Sequence, residues 1–201
     1  MAEAKFGAGR SVLLTFDDGP EPATALDTIL NILGQNQITA EFYVIGQEVA
    51  HSPGRARAIV NKGHTIQNHS WSHIDLQKAS EAKVRQEVSK TQDAIYRATG
   101  VKAKKLRPPY GNGGWASKPD REIFSVAHEF SLTVENWDVD TRDWERPRGI
   151  GPAKMAPVQR QCQHATKPRL VALMHVQPET AKDLPNFITT LKGWGFSFAR
   201  P

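Results

Sequence analysis

Val12-Leu13-Leu14-Thr15-Phe16-Asp17-Asp18-Gly19-Pro20 decides how the chain is read. A short apolar run reads as a strand over Val12–Phe16, and two adjacent acids followed by Gly-Pro mark its end. The same pattern recurs downstream. Strands are predicted at Glu41–Ile45, Thr65–Asn68, Lys105–Arg107, Thr133–Trp137, Leu170–Met174 and Phe196–Ala199. Helical spacing predicts Ala25–Leu33, through Leu26, Ile29, Leu30 and Leu33, and Glu81–Thr99, through Val84, Val88, Thr91 and Ile95. Gly100 is the expected stop of the second. A third helix is predicted over Leu184–Trp194, with Pro185 in its first turn. Strands alternating with helices, a dozen or more residues apart, predict a parallel sheet with helices outside it. About seven strands suit a closed or nearly closed barrel; an open doubly wound sheet is the other solution.

The 201 residues suit a single domain spanning 1–201. With 39% hydrophobic and 23% charged residues the composition is that of a globular protein. Longest among the apolar runs is a segment such as Leu170–Met174, far short of the ~20 residues of a membrane span. Met1–Lys5 lacks the apolar core of a signal peptide, so the expectation is a cytosolic protein or one whose leader was removed. The net charge of +5 comes from scattered basic residues, densest at Val101–Lys105, a solvated turn. Nucleic-acid signatures are absent. Cys162 alone forms no intrachain disulfide or thiolate cluster and is expected on an exposed helix or loop. Trp144–Val158, rich in Pro, Gly and Arg, is expected to be a surface loop.

Polar residues gather just after the predicted strands, where parallel sheets and barrels carry their working face. Asp17 and Asp18 follow the first strand, His69 and His73 the third, and Arg107 and Tyr110 the fourth. Asp140, Asp143 and Trp144 follow the fifth, and His175 the sixth. His69-Ser70-Trp71-Ser72-His73 spaces two imidazoles to share one side of a helical turn, a pattern that suits a divalent transition metal. Asp18 with both histidines makes three ligands and leaves a position open for water, while Asp17 is placed to act as general base. The alternative for the acids is an Asx turn punctuated by Gly-Pro. Arg107, stiffened by Pro108-Pro109, could fix a carboxylate or form a structural salt bridge. His175 could protonate a leaving amine, with Asp143 orienting it and keeping it charged near neutral pH. Trp144 could wall a small apolar pocket or simply pack in the core.

Thr15–Pro20, His69–His73, Arg107-Pro108-Pro109-Tyr110-Gly111, Asp140-Thr141-Arg142-Asp143-Trp144 and Leu173-Met174-His175 occur in that order. Together they resemble the five motifs of the polysaccharide deacetylases (carbohydrate esterase family 4, the NodB-homology domain). Gly63–Asn68 resembles the family as well.

The resemblance implies an α/β fold, a deformed (β/α) barrel of about seven parallel strands. It implies Asp18, His69 and His73 as metal ligands, Asp17 as base positioned by Arg107, and His175 as acid tuned by Asp143. The backbone N–H of Tyr110 would serve the oxyanion, and Leu173 and Trp144 would hold the acetyl methyl. The implied cofactor is a divalent metal, zinc by ligand type, with cobalt or nickel also accepted. The implied partner is an acetylated polysaccharide or oligosaccharide containing N-acetylglucosamine, taken by a monomer. O-acetyl esterase activity on xylan, or carbohydrate binding without catalysis, are the alternatives. Val176 stands where the family often has Asp, and Glu41-Phe42-Tyr43 where it usually has a smaller start. Asn112–Asp120 looks long, and its Trp115 could stack on a sugar.

Overall fold

The computed structural model describes residues 5–201; Met1–Ala4, within the stretch read for a leader, lie outside the described residues. The opening apolar run forms β1 (Ser11–Gly19), with Val12 to Asp17 buried. Burial of consecutive residues, rather than alternate ones, is the mark of a strand covered on both faces. The chain divides into two compact units, and β1 contributes to both: Phe16 closes its part in the first, and Asp17 opens the second.

The first unit holds the described residues up to Phe16, Pro22–Glu41 and Trp137–Pro201. It contains α1 (Ala23–Gln35), β8 (Val139–Asp140), α6 (Pro152–His164), β9 (Arg169–His175), α7 (Pro178–Gly193) and β10 (Ser197–Phe198). Its strands lie in the order β10, β1, β9, β8. β10 and β1 run parallel, with Ser11 opposite Ser197, as do β8 and β9, with Asp140 opposite Leu173. α1 packs on α7 through stripes of Leu26, Ile29, Leu30 and Leu33 and of Leu184, Phe187, Ile188 and Leu191, all buried. Full burial of each such side chain contributes about 1.5–3 kcal/mol.

The second unit holds Asp17–Glu21 and Phe42–Asn136. Its elements are β2 (Glu41–Val44, whose first residue belongs to the other unit), α2 (Gly46–His51), α3 (Pro53–Asn61), β3 (Thr65–Asn68), α4 (Glu81–Thr99) and β4 (Lys105–Leu106). A hairpin of β5 (Gly114–Trp115) and β6 (Lys118–Pro119), α5 (Arg121–Glu129) and β7 (Thr133–Val134) complete it. The strand order is β7, β4, β3, β2, with parallel pairing of β3 to β4 and β4 to β7. α4 has clear ends. Ser80 accepts the Lys83 N–H at its start, and Gly100 takes φ 76° at its stop, a conformation glycine adopts without a Cβ clash. The fold class is α/β, a deformed (β/α) barrel of parallel strands with surrounding helices. Among the described residues no helix is long and apolar enough to cross a membrane.

Several expectations are corrected. The stretch Trp144–Val158 is not all loop: α6 begins at Pro152, a proline at the first helical position, where its missing N–H costs nothing. The last helix begins at Pro178 rather than near Leu184, so Pro185 lies inside it. The strand expected over Thr133–Trp137 ends at Val134, and a separate short strand follows at Val139–Asp140. Cys162 is helical but buried, and burial pushes its thiol up to about 11, which leaves it protonated and unreactive.

Candidate active site

Asp17 is buried at the carboxyl end of β1, and its Oδ1 accepts a hydrogen bond from Arg107 Nη1 at 2.7 Å. Arg107 follows β4 and is fully buried. Its guanidinium also donates from Nε to the Glu135 carbonyl (3.1 Å) and from Nη2 to the Asn136 carbonyl (3.3 Å). The Tyr43 ring lies against it, 3.9 Å from Cζ. Burial would discharge the arginine, but Asp17 and its neighbours outweigh that and hold its pKa up, so the guanidinium stays charged. Tyr43 Oη and Lys105 Nζ both donate to Glu135, each at 2.9 Å, which ties the wall behind the arginine together.

Asp18, the next residue, takes φ 68°. Its Oδ1 lies 3.5 Å from His69 Nε2 and 3.2 Å from His73 Nε2. Ligand atoms at ordinary zinc distances in a tetrahedron stand about 3.3–3.5 Å apart; both Asp18–histidine pairs match that spacing, and all three donors lie within 4.8 Å of one another. His69 Nδ1 donates to the Arg107 carbonyl at 2.7 Å, because a carbonyl can only accept. In the neutral ring the lone pair is then on Nε2, facing Asp18, which is the tautomer a ligand needs. Burial lowers the His69 pKa, but Asp17, Asp18 and that carbonyl together raise it, so protons compete with any metal there.

The two histidines do not share a helical turn as their spacing suggested. They are joined by a loop in which Ser70 and His73 take φ 66° and 57°. Asn68 Oδ1 accepts the Ser70 N–H (3.0 Å), and Ser70 Oγ accepts the His73 N–H (3.1 Å).

The first unit carries a separate constellation. His175, the last residue of β9, donates from Nδ1 to Asp143 Oδ1 at 2.7 Å, and its backbone N–H donates to Oδ2 at 2.8 Å. Asp143 is fully buried, and Thr180 Oγ1 donates to it too. Held this way, the His175 ring presents Nδ1, not Nε2, to Asp143. Asp140, at the end of β8, has its carboxyl pushed up by burial and caps the Arg142 N–H.

Tyr110 follows Arg107 in a tight turn with φ 63°, its side chain exposed and its ring 4.9 Å from that of His73. Leu173 is buried, whereas Trp144 is 52% exposed and so is not a core residue. Trp115 is also exposed, on the β5–β6 hairpin. Seven non-glycine residues among those described have positive φ, and five of them lie in the motifs: Asp18, Ser70, His73, Tyr110 and Arg142. Such conformations persist only where surroundings enforce them, and they concentrate at functional sites.

Residues 5–133 match the sequence model described as polysaccharide deacetylase. The chain belongs to the polysaccharide deacetylase family. It is 33% identical over 195 residues to the peptidoglycan-N-acetylglucosamine deacetylase PgdA of Listeria monocytogenes, covering 96% of this chain and 38% of that one. The chain thus spans well under half the length of that relative. Among solved structures it is similar to a family 4 carbohydrate esterase from Streptomyces lividans in complex with acetate. That match has a TM-score of 0.80 and 32% identity, and covers 96% of this chain and 93% of the other. A CE4 family pseudoenzyme from Bacillus anthracis is also similar, with a TM-score of 0.79 and 28% identity over 94% of this chain and 63% of the other. Polysaccharide deacetylase membership therefore fixes the scaffold, and turnover has to be argued from side chains.

Sequence reasoning missed the residues that hold this polysaccharide deacetylase site in place. Tyr43 and Glu135 sit behind Arg107, and nothing in their local sequence marks them. Thr180 supports Asp143 from α7. Glu87 left one signal: it falls on the buried stripe of α4 with Val84, Val88 and Thr91, an odd place for an acid.

Proposed function

We propose that the chain is a metal-dependent deacetylase that hydrolyses the N-acetyl group of N-acetylglucosamine units in a polysaccharide of the peptidoglycan or chitin class. The observation that carries this reading is the division between two neighbouring acids. Asp17 is committed to a buried arginine, and Asp18 to two imidazoles at metal-ligand spacing. Packing alone gives no reason to bury one carboxylate and aim its neighbour at two histidines.

Asp18, His69 and His73 would hold a divalent ion, zinc by ligand type, with cobalt and nickel as substitutes. When bound, that ion supplies Lewis acidity and makes water easier to deprotonate. Asp17 takes the proton from the attacking water on Oδ2, since Oδ1 is held by Arg107. The Tyr110 N–H donates to the oxygen that gains charge as the carbonyl carbon becomes tetrahedral. The carbon–nitrogen bond then breaks, the sugar nitrogen takes a proton from His175 Nε2, and acetate leaves. Asp143 accepts the Nδ1 proton and orients the ring, so that the imidazolium carries its other proton on Nε2. Leu173 and Trp144 would flank the acetyl methyl.

Acetate release from chitin oligosaccharides, peptidoglycan and acetylated xylan tests this, using chelated and metal-restored protein. Metal-dependent release from the N-acetylated polymers is the expected result. Release from xylan alone would transfer the chain to ester hydrolysis. A stoichiometrically metal-loaded protein that releases nothing from any of them would leave carbohydrate binding as its role.

A further inference from the structure

The bridge between His69 and His73 is three residues long, Ser70-Trp71-Ser72, and positive φ is held by Ser70 and by His73 just beyond it. Left to itself such a segment would relax to ordinary α or β conformations, and the two imidazoles would separate. Its N–H groups and the carbonyls of Ser70 and Trp71 all have partners. The Ser70 carbonyl accepts from Gly46 N–H (2.9 Å) and the Trp71 carbonyl from Gln47 N–H (3.0 Å). The N–H groups of Ser70 and His73 are taken by Asn68 and by Ser70 Oγ. The remaining two, on Trp71 and Ser72, both donate to one atom, Glu87 Oε2, at 2.9 and 2.8 Å. Glu87 Oε1 accepts from Ser72 Oγ at 2.9 Å and pairs with Lys83 Nζ at 2.8 Å.

Glu87 is fully buried and touches neither histidine ring through these bonds, so the reaction as described leaves it without a task. We propose that Glu87 is a positioning residue for the metal site: from α4 its carboxylate clamps the backbone between His69 and His73 and so sets how tightly that loop holds a divalent ion. This rests on the metal reading above. Its physical basis is that an anion accepting two convergent N–H groups fixes their direction, and charge-assisted bonds are about twice as strong as neutral ones. A glutamine cannot replace it fully. Its single amide oxygen can serve the two N–H groups or the Lys83 and Ser72 side, and its NH2 faces donors at the other.

Zinc affinity, measured by competition with a chelator of known strength, tests the proposal on the wild-type chain, E87Q, E87M and V84A. Val84 is buried on the same stripe of α4 and has no polar side-chain group. V84A should therefore melt at lower temperature yet bind zinc within about twofold of wild type. E87Q should bind about 10-fold more weakly and E87M about 100-fold, the span typical of groups that orient metal ligands. The visible spectrum of the cobalt form should change in E87Q and stay constant in V84A. If E87M does not fold, E87Q decides. Zinc affinities of E87Q and E87M within twofold of wild type would overturn the proposal, as would an equal loss in V84A. A wild-type chain that binds no zinc would overturn the metal reading as well, which separates the two failures.

Discussion

Asn at position 17 removes one charge and little else. In the wild-type chain the Asp17–Arg107 contact is 2.7 Å, with the arginine at 0% and the aspartate at 2% exposure. With charge centres about 4 Å apart and an effective dielectric near 20, their attraction is about 4 kcal/mol. Two effects reduce the loss. The Asn oxygen still accepts from Nη1, and the cost of keeping a carboxylate out of water disappears. Arg107 also retains the Glu135 and Asn136 carbonyls. Asp17→Asn should therefore destabilise the metal-free protein by about 2 kcal/mol, lowering Tm by about 4–8 °C for a chain of this size. Acetate release should fall by about 10²–10⁴-fold through loss of the base. Zinc should remain bound, because the proposed ligands are Asp18, His69 and His73, and Asp17 Oδ2 stays 3.7 Å from His69 Nε2. Asp18→Ala should instead lose zinc. Circular dichroism melts, zinc competition and acetate assays on both variants give the three readouts. Zinc-loaded Asp17→Asn turning over within tenfold of wild type would refute the assignment of the base, whatever its stability.

Three more outcomes follow from other contacts. His175→Ala should cut deacetylation by about 10²–10⁴-fold while an acetyl ester with a good leaving group suffers much less; equal losses on both in steady-state assays would deny His175 its role as acid. His64 is pushed down to about 4, by burial first and then by Lys62, while an unfolded histidine titrates near 6.5. The unfolded chain then binds a proton that the folded chain refuses, so this contribution is complete above pH 6.5 and is lost as pH falls toward 4. By pH 4.5 the loss is about 2 kcal/mol after allowing for partial solvent screening, and His64→Gln should escape it; parallel urea midpoints for both proteins at pH 7 and 4.5, in chelator, would contradict this. A Cβ on Gly46 would meet Thr91 Oγ1 at 2.5 Å and Trp71 Cε3 at 2.6 Å. Gly46→Ala should cost about 1–3 kcal/mol in a urea titration and weaken zinc binding, since α2 would be pushed from the Ser70–Trp71 backbone; an unchanged midpoint would show that the gap closes without strain.

The parts of the fold visible in the sequence were those where local and tertiary preferences agree. Glu81–Thr99 is legible to the residue because its apolar stripe and its terminal glycine agree. α6 escaped because Pro152, which starts it, reads equally well as a loop residue. The metal pair was visible by residue type but not by conformation, since four-residue spacing fits a helix and a tight loop alike. What holds the site was hidden for a different reason. Tyr43 and Glu135 lie far from Arg107 in sequence, and only strand pairing brings them behind it. Distance in sequence carries no signal of that kind.

Arg107 holds Asp17, the proposed base, with its side chain and His69 with its main-chain carbonyl. Mutation can alter only the first. Any amino-acid substitution at this position leaves a carbonyl in place, followed by Pro108 in its extended conformation. On the proposed roles, a lineage drifting here would keep its metal cup while losing catalysis in one step, and could recover it in one step by reversion. Loss and regain of activity on this scaffold need not pass through an unfolded or metal-free ancestor.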